Sequence, residues 1–164
     1  MPCVSRPASQ RVLRTAAAGL AFLGLSIVGA VPRTAADASA QSERHCVVAV
    51  EGQRESGELV LSPEQCWKAS EAASALVDVT STVIATHYTG LNFTGSSLAI
   101  TGAACAGGWL NLPSGWVNVI SSTSSICDVD HFDLFYRGGT SQRVWSPGGN
   151  LTTMDNRPNS VQYL

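Results

Sequence analysis

Four residues whose side chains can bind metal ions lie close together in the sequence: Asp128, Asp130, His131 and Asp133. The surrounding residue types predict an extended chain at this point. Because side chains alternate between the two faces of a strand, Asp128 and Asp130 face one way while His131 and Asp133 face the other. Ligands on opposite faces do not converge on one ion. The cluster is therefore interpreted as a solvated strand entry beside Cys127.

Residues that could support catalysis are few. His45, His87 and His131 are the three histidines, and none lies beside a serine or a cysteine in a nucleophile motif. The sequence also lacks a G-x-S-x-G elbow, a phosphate-binding P-loop and an H-E-x-x-H zinc motif. We therefore expect a protein that is not an enzyme.

The first forty residues have the pattern of a secretory signal peptide. Arg6, Arg11 and Arg14 precede an uncharged run over residues 16–31, which is followed by the small residues Ala38-Ser39-Ala40. A basic start, a short apolar run and an A-x-A exit are the parts of such a signal. The run is short for a hydrocarbon core about 30 Å thick. Residues 1–40 are thus predicted to be a signal peptide cleaved after Ala40, leaving a secreted, extracellular protein with no membrane span.

Composition narrows the classes of function. The chain is 45% hydrophobic and 13% charged, which excludes a disordered tail. Residues 41–164 contain 6 basic and 11 acidic side chains, a net charge of -5. No basic surplus supports nucleic-acid binding, so no nucleic-acid partner is expected. The oligomeric state does not follow from these numbers.

Four cysteines remain after cleavage: Cys46, Cys66, Cys105 and Cys127. An even count is typical of an exported, oxidised protein, and four cysteines allow three pairings. The spacings favour two local bridges, Cys46–Cys66 and Cys105–Cys127, each contributing roughly 3 kcal/mol of stability. A zinc site is the alternative, but no C-x-x-C or paired-histidine spacing supports it.

Residues 41–82 predict a small strand–helix appendage. Residues 46–50, Cys-Val-Val-Ala-Val, form a short β-run. Ser62-Pro63-Glu64-Gln65 is typical of a helix start, with Ser at the N-cap and Pro in the first turn. The apolar spacing continues the helix to about Val77.

Residues 83–164 predict a second, mainly β segment. Short runs of β-branched and aromatic residues alternate with turn residues, which favours a sandwich or a barrel. Leu98 and Ile100 alternate with small or polar neighbours, as in a strand with one buried face. The strand-like runs are residues 83–86, 97–101, 133–136 and 160–163.

This segment contains an internal repeat, with aromatic residues, then Gly-x-Ser, then an Asn-bearing stretch that ends in Ser. The first copy runs from Tyr88 through Gly95-Ser96-Ser97 to residues 116–122, and the second from Phe135-Tyr136 through Gly139-Thr140-Ser141 to residues 154–161. We interpret the repeat as two similar β-units that bury their faces against each other.

At these residues the chain resembles a secreted microbial βγ-crystallin domain, a mainly β, two-motif Greek-key sandwich. Tyr88, Phe93, Gly95 and Ser97 match the aromatic–Gly–Ser element of that family. Its later element is matched by Val117-Asn118-Val119-Ile120-Ser121-Ser122 and by Asp155-Asn156-Arg157-Pro158-Asn159-Ser160. The resemblance covers about residues 83–164. The secreted, disulfide-bearing context is similar to actinobacterial metalloproteinase inhibitors and toxin-like proteins of this fold.

The resemblance implies calcium sites that draw ligands from both copies. Val117 and Asn159 depart from the pattern, because each lacks the oxygen expected at its position. Both departures fall in one site. The other site would keep Asp155 and Ser121, with the carbonyl of Val119 or Arg157. The expectation is one weak calcium site, since calcium binds best to several hard oxygens including carboxylates. The alternative is that these residues only satisfy backbone groups in tight loops.

The segment between Cys105 and Cys127 offers a candidate binding loop at Trp109, Leu110 and Asn111. A disulfide-closed loop with aromatic residues could present a rigid strand to an extracellular peptidase. Trp116 is predicted to be a core residue instead. The leading interpretation is a non-catalytic secreted module that binds calcium weakly. An inhibitor of secreted peptidases is the second, and a toxin-like protein the third.

Overall fold

The computed structural model describes residues 43–68, 81–103, 105 and 107–164. The predicted signal peptide lies outside these residues. The described strands are β1 (Arg44–Gln53), β2 (Leu59–Leu61), β3 (Gln65–Lys68), β4 (Thr82–Tyr88), β5 (Ser97–Gly102), β6 (Trp109–Asn111), β7 (Ser122–Ser125), β8 (Val129–Phe132), β9 (Ser141–Val144), β10 (Gly148–Asn150) and β11 (Ser160–Tyr163). Two short 3-10 turns are Leu91–Phe93 and Phe135–Arg137. Nowhere in this part of the chain is there a helix long and apolar enough to cross a membrane.

The protein is mainly β, as the sequence predicts, and its strands form two sheets. Sheet I has the order β10-β7-β4-β5-β1-β2, with β3 also paired to β1, and sheet II has the order β6-β11-β8-β9. All described strand pairings are antiparallel except β1 with β5, which is parallel from His45↔Ser97 to Ala49↔Thr101. An isolated bridge between Glu58 and Trp109 is also parallel. A parallel pair needs a crossover connection. Strands β2 and β3 lie within the long connection between β1 and β5.

The two repeats exchange strands. Strands β4 to β7 belong to the first repeat and β8 to β11 to the second. The third strand of the first repeat, β6, pairs with β11 in sheet II. The third strand of the second repeat, β10, pairs with β7 in sheet I. Each sheet is therefore completed by the opposite repeat.

Strand β1, which the sequence assigns to an appendage, is a member of sheet I. It lies between β5 on one side and β2 and β3 on the other. Its buried residues Cys46 and Val48 belong to the same core as residues of both repeats. All described residues fall within one unit, Arg33–Leu164.

The predicted helix start at Ser62 is wrong. Residues Gln65–Lys68 form β3, which pairs antiparallel with β1 so that Cys66 lies directly opposite Cys46. The Ser62 hydroxyl accepts a hydrogen bond from the Ala49 N–H at 2.9 Å, so it serves the sheet and not a helix N-terminus. Non-local strand pairing outweighs the local capping signal here. The rest of the predicted helix, from residue 69 to Val77, lies outside the described residues.

The predicted strand at residues 133–136 is also wrong. Tyr136 and Arg137 have φ values of 59° and 60°, in the left-handed region that a strand excludes. The strand is β8, and it ends at Phe132. Phe132, not the expected Phe135-Tyr136 pair, is thus the counterpart of Tyr88. The two repeats then have equal spacing from this aromatic residue to Gly95 and Gly139.

Both predicted disulfides are confirmed. Cys46 is bonded to Cys66 with the two Cα atoms 4.1 Å apart. Cys105 is bonded to Cys127 with the Cα atoms 5.7 Å apart. The first bridge joins neighbouring strands of sheet I, and the second joins the first repeat to the segment entering the second.

The core draws side chains from both sheets. Trp116 is fully buried, which confirms the prediction for this residue. Leu98 and Ile100 are also fully buried, as predicted, but Ser97 and Thr101 are buried too, so β5 does not have the single buried face that its alternation predicts. The largest buried apolar side chains are Trp116, Tyr163, Ile84, Leu98, Ile100, Leu110, Ile120, Leu151 and Met154.

Candidate functional site

The two loops that precede β7 and β11 pair with each other across the repeats. The Asn118 N–H donates to the Pro158 carbonyl at 2.9 Å, and the Asn156 N–H donates to the Ile120 carbonyl at 2.9 Å. Both asparagines have positive φ, 58° and 54°. Asparagine tolerates this conformation better than most residues. The loops are thus related by the same two-fold exchange as the strands.

The oxygen groups expected to bind calcium lie around the Asn156 side chain. The Ser121 hydroxyl donates to Asn156 Oδ1 at 3.4 Å, and Asn156 Nδ2 donates to Asp155 Oδ1 at 3.2 Å. Ser121 is buried, whereas Asp155 is partly exposed. The amide of Asn156 therefore lies between the one hydroxyl and the one carboxylate of the candidate site.

The two residues that depart from the calcium pattern of the resemblance, Val117 and Asn159, make other contacts in the structure. Val117 packs against the hydrophobic core. The Asn159 amide donates to the backbone carbonyl of Asp133, so it holds the second hairpin in place.

Each β-hairpin that follows the first strand of a repeat ends in a folded tip, here called tip 1 (residues 90–95) and tip 2 (residues 134–139). In tip 1, the Phe93 N–H donates to Ser122 Oγ at 3.0 Å. In tip 2, the Arg137 N–H donates to Ser160 Oγ at 3.0 Å. The Asn92 N–H donates to Asn150 Oδ1 and the Tyr136 N–H donates to Asn111 Oδ1. Asn150 and Asn111 come from the exchanged strands, so each tip is fixed by both repeats.

Tip 2 presents apolar side chains to solvent. Leu134, Phe135 and Tyr136 are 57%, 47% and 71% exposed. Asp133 clamps the base of the tip, because its carboxylate accepts hydrogen bonds from the Thr140 N–H and hydroxyl. It also forms an ion pair with Arg157 at 2.7 Å. Tip 2 is therefore an exposed apolar element on a rigid backbone.

The candidate binding loop of the sequence is not exposed. Trp109 and Leu110 lie in β6 and are 5% and 1% exposed. Asn111 is partly buried, and its side-chain oxygen accepts a hydrogen bond from the Tyr136 N–H of tip 2. Because β6 is the strand exchanged into sheet II, its side chains belong to the core. Tip 2 replaces it as a candidate exposed aromatic element, alongside the exposed Phe93 of tip 1 and Trp145.

Within β8 the acidic cluster separates as the strand alternation predicts, but Asp133 lies beyond the end of β8 and does not share the buried side of His131. His131 is buried, while Asp130 faces outward and forms a bidentate pair with Arg143 at 2.7 and 2.8 Å. Asp128 accepts from the Ser146 N–H at 3.0 Å. The hydrogen bonds of Asp133 lower the pKa of its carboxyl, with Arg157 adding to the effect. Each carboxylate has its own partner, so the cluster does not form one metal site.

A buried polar network crosses the core between the sheets. The Tyr163 hydroxyl lies 2.9 Å from His87 Nε2, and His87 Nδ1 lies 2.9 Å from the Thr123 hydroxyl. That hydroxyl also lies 2.8 Å from His131 Nε2. A hydroxyl has one proton, so at least one of the two imidazoles donates to Thr123. His131 Nδ1 is buried and has no hydrogen-bond partner in the described part of the chain.

Burial controls the ionisation of this network. Desolvation lowers the pKa of His131 to about 4, against smaller opposing effects of backbone groups at Gln142 and Val129 and of Asp130. Burial also lowers the pKa of His87, and the proximity of His131 lowers it further. The Tyr163 pKa is raised by burial. All three groups are therefore neutral at pH 7.

Two further side-chain groups resemble sites of chemistry. His45 Nδ1 lies 2.8 Å from the Ser97 hydroxyl, a serine–histidine contact that the sequence motifs do not reveal. Ser97 is buried, and no described carboxylate orients the His45 ring, so the pair lacks the third group of a triad. Cys46, Glu64 and Cys66 also lie together, but both sulfurs are in the disulfide. Among the described residues no other group of three or more such ligands forms.

The buried network was missed in the sequence, although a signal for it exists. His87-Tyr88 and His131-Phe132 are the same dipeptide type at the same position of each repeat. Aligning the repeats on these dipeptides also gives the correct register. Comparisons with protein-family models, with curated proteins and with solved structures found no match to this chain.

Proposed function

We propose that the chain is a secreted, non-catalytic βγ-crystallin-like module of two Greek-key motifs. The strand exchange is the observation that carries this proposal: β6 and β10 each complete the sheet of the opposite repeat. The reciprocal hydrogen bonds between the loops at Asn118 and Asn156 support it further. The fold alone does not fix a function, so the proposal depends on the loops and tips.

The two disulfides support export. Both bridges join cysteines within residues 41–164, the part expected after signal cleavage. Structural disulfides persist in oxidising compartments.

The histidines support a non-catalytic role. His87 and His131 are buried and bonded to Thr123 or Tyr163, out of reach of a substrate.

Weak calcium binding is part of the proposal. Asp155 would supply the carboxylate and Ser121 the hydroxyl, with the carbonyl oxygen of Val119 or Arg157 completing the site. The neighbouring carbonyls of Ile120 and Pro158 are occupied by backbone hydrogen bonds. Those of Val119 and Arg157 accept none from the described residues, which leaves them available. With a single carboxylate the affinity is expected to be low.

Thermal unfolding of oxidised residues 41–164 tests this site. With calcium at ~100 times its dissociation constant the domain gains about 2.7 kcal/mol, which raises Tm by several degrees relative to excess chelator. The Asp155→Ala variant should lose this rise, because it removes the only carboxylate. Asp128→Ala is the matched control and should keep it. An equal rise in wild type and Asp155→Ala, or no rise in wild type, contradicts the calcium site.

Peptidase inhibition is the second candidate, and the exposed tip 2 favours it. Leu134, Phe135 and Tyr136 project from a backbone that hydrogen bonds already hold in one conformation. A rigid apolar element loses little conformational entropy when it enters a pocket. The Arg137 guanidinium lies 5.2 Å from the centre of the Trp109 ring, so it is also held in place.

A panel of secreted peptidases tests this candidate. Replacing Phe135 and Tyr136 together by serine should raise the inhibition constant about tenfold or more, since buried aromatic anchors dominate interface energies. The matched control replaces Leu91 and Phe93 of tip 1 by serine and should inhibit as wild type does. Circular dichroism checks that both variants are folded. Loss of inhibition in both variants, or no inhibition by wild type, contradicts the role of tip 2.

A further inference from the structure

A cavity of about 330 Å³ lies where sheet I and sheet II meet at one end. Its walls include Val50, Leu59 and Ile84 of sheet I. Gly108, just before β6, and Tyr163 of β11 close the other side. The volume lies within the ~300–1,000 Å³ range of small-molecule sites. An engineered apolar cavity of roughly 150 Å³ accepts benzene, so this cavity has room for a larger apolar group.

Glycines keep the cavity open. A Cβ atom at Gly102 would lie 3.3 Å from Val50 Cβ and 3.9 Å from Ile84 Cδ1, so it would fill space between two wall residues. A Cβ atom at Gly108 would overlap the Leu59 side chain. Glycine is unfavourable in strands and often marks a place where a ligand approaches the backbone closely. At Gly102, at the end of β5, the absent side chain leaves space beside Val50 and Ile84.

The walls are held in position by contacts between the sheets. The Trp109 N–H donates to the Gly57 carbonyl at 3.1 Å, and Trp109 Nε1 donates to the Ser56 carbonyl at 3.1 Å. These bonds join the turn before β2 to the start of β6.

The rim has a negative charge. Glu51 and Gln53 line the cavity beside its apolar walls, and both are exposed. Glu51 has no ion-pair or hydrogen-bond partner among the described residues. An apolar cavity with one carboxylate at its edge fits an apolar molecule that carries a cation.

We propose that this cavity binds a small amphiphilic cation, with an apolar chain or ring between Val50, Leu59 and Ile84 and an ammonium group at Glu51. The binding of such a ligand goes beyond the module function and is independent of calcium. Each methylene group placed in the cavity favours binding, because its apolar surface is removed from water. The exposed carboxylate adds selectivity for positive charge, which salt weakens.

Displacement of a neutral hydrophobic dye, N-phenyl-1-naphthylamine, tests the proposal on the oxidised protein. The dye should fluoresce on binding, and octylammonium should displace it at roughly a threefold lower concentration than octanoate at low salt. Both competitors have eight carbons, so the difference reports charge. In the Glu51→Gln variant the two competitors should become equal. Equal displacement in wild type overturns the assignment of a cation.

Two glycine variants locate the site. Gly102→Ala narrows the cavity and should weaken dye binding several-fold. Gly149→Ala is the matched control in β10, where a Cβ atom would only touch Val144 at 3.7 Å, and should bind as wild type does. Chelator should leave dye binding unchanged. Full dye binding by folded Gly102→Ala overturns the cavity as the site. If Gly102→Ala does not fold, the Glu51→Gln variant still tests the proposal, because Glu51 is exposed and its replacement should not affect folding.

Discussion

Between pH 6.5 and pH 4 the folded protein is expected to lose about 3 kcal/mol of stability through His131 alone. Its pKa is about 4 in the folded state, because of burial, and 6.5 is the ordinary value in an unfolded chain. The unfolded state therefore binds one more proton in this window, and stability falls as the pH falls. The contribution is present in full above pH 6.5 and lost near pH 4. His87, with its pKa lowered in the same direction, adds to the loss.

Urea unfolding at several pH values measures this effect. Between pH 6.5 and pH 4 the unfolding free energy of the His131→Leu variant should fall less steeply than that of the wild type. The variant lacks the group that binds one more proton in the unfolded state than in the folded state. An NMR titration of the His131 ring in the wild type gives the folded-state pKa independently and does not require the variant to fold. A ring that titrates near 6.5, or a parallel decline in both proteins, contradicts the prediction.

Asp133 acts in a different pH range. Its folded-state pKa lies below 3.8, so the stability that it contributes is lost only at lower pH, as the pH falls through that lowered value. The histidine window can therefore be measured separately. Asp133→Asn should leave the slope between pH 6.5 and about pH 5 unchanged, because this carboxyl takes up protons in the unfolded chain only below about pH 5.

Replacing Trp116 by alanine is expected to cost about 4 kcal/mol of unfolding free energy. The side chain is fully buried, and its Nε1 donates to the Glu64 carboxylate. The Arg44 guanidinium lies 4.8 Å from the ring centre and also donates to the Gly115 carbonyl at 2.9 Å. The ring thus joins the start of β1 and the segment before β3 to the loop that precedes β7. Its loss leaves a large cavity and an unpaired carboxylate.

Trp145→Ala is the matched control, since Trp145 is 63% exposed. It removes the same side chain from the surface and should change the free energy by no more than about 0.5 kcal/mol. Urea unfolding of both variants, with m-values compared, separates loss of stability from a change in the unfolded state. Similar losses in the two variants would show that burial of Trp116 does not decide its contribution.

The parts of the fold that follow local rules could be predicted from the sequence. The even cysteine count and the spacings lead to both disulfides, because each bridge closes a short stretch of chain. The alternation at Leu98 and Ile100 identifies β5, and the alternation at Asp130 and His131 separates the acidic cluster. The mainly β class follows from the same patterns.

The errors occur where distant residues decide the structure. Ser62-Pro63-Glu64-Gln65 has a sound helix-start signal, but β3 gains its hydrogen bonds from β1, and no local pattern shows that partner. Trp109 and Leu110 were predicted to form an exposed loop because strand exchange, which buries them in sheet II, is invisible in a linear sequence. The second repeat was misaligned because Phe135-Tyr136 is a more conspicuous aromatic pair than Phe132.

The candidate sites also divide into features that the local sequence predicts and features that depend on distant residues. The paired loops around Asn118 and Asn156 could be located from the repeat. The network of Tyr163, His87, Thr123 and His131 combines four strands from two sheets, and the cavity combines six segments. His87 and His131 share a position in the two repeats, but Thr123, Tyr163 and the walls of the cavity have no common spacing with them in the sequence. Only the folded chain brings them together.

Both disulfides span segments that a protease could reach. Cys46–Cys66 encloses the exposed turn at residues 54–56, and Cys105–Cys127 encloses the exposed residues Ser114 and Gly115. A single cut in either segment leaves both products covalently joined. In an environment rich in digestive enzymes the two fragments of the cut protein would remain linked, and the core would remain intact. Such damage would be seen only after reduction, as two shorter bands on a denaturing gel.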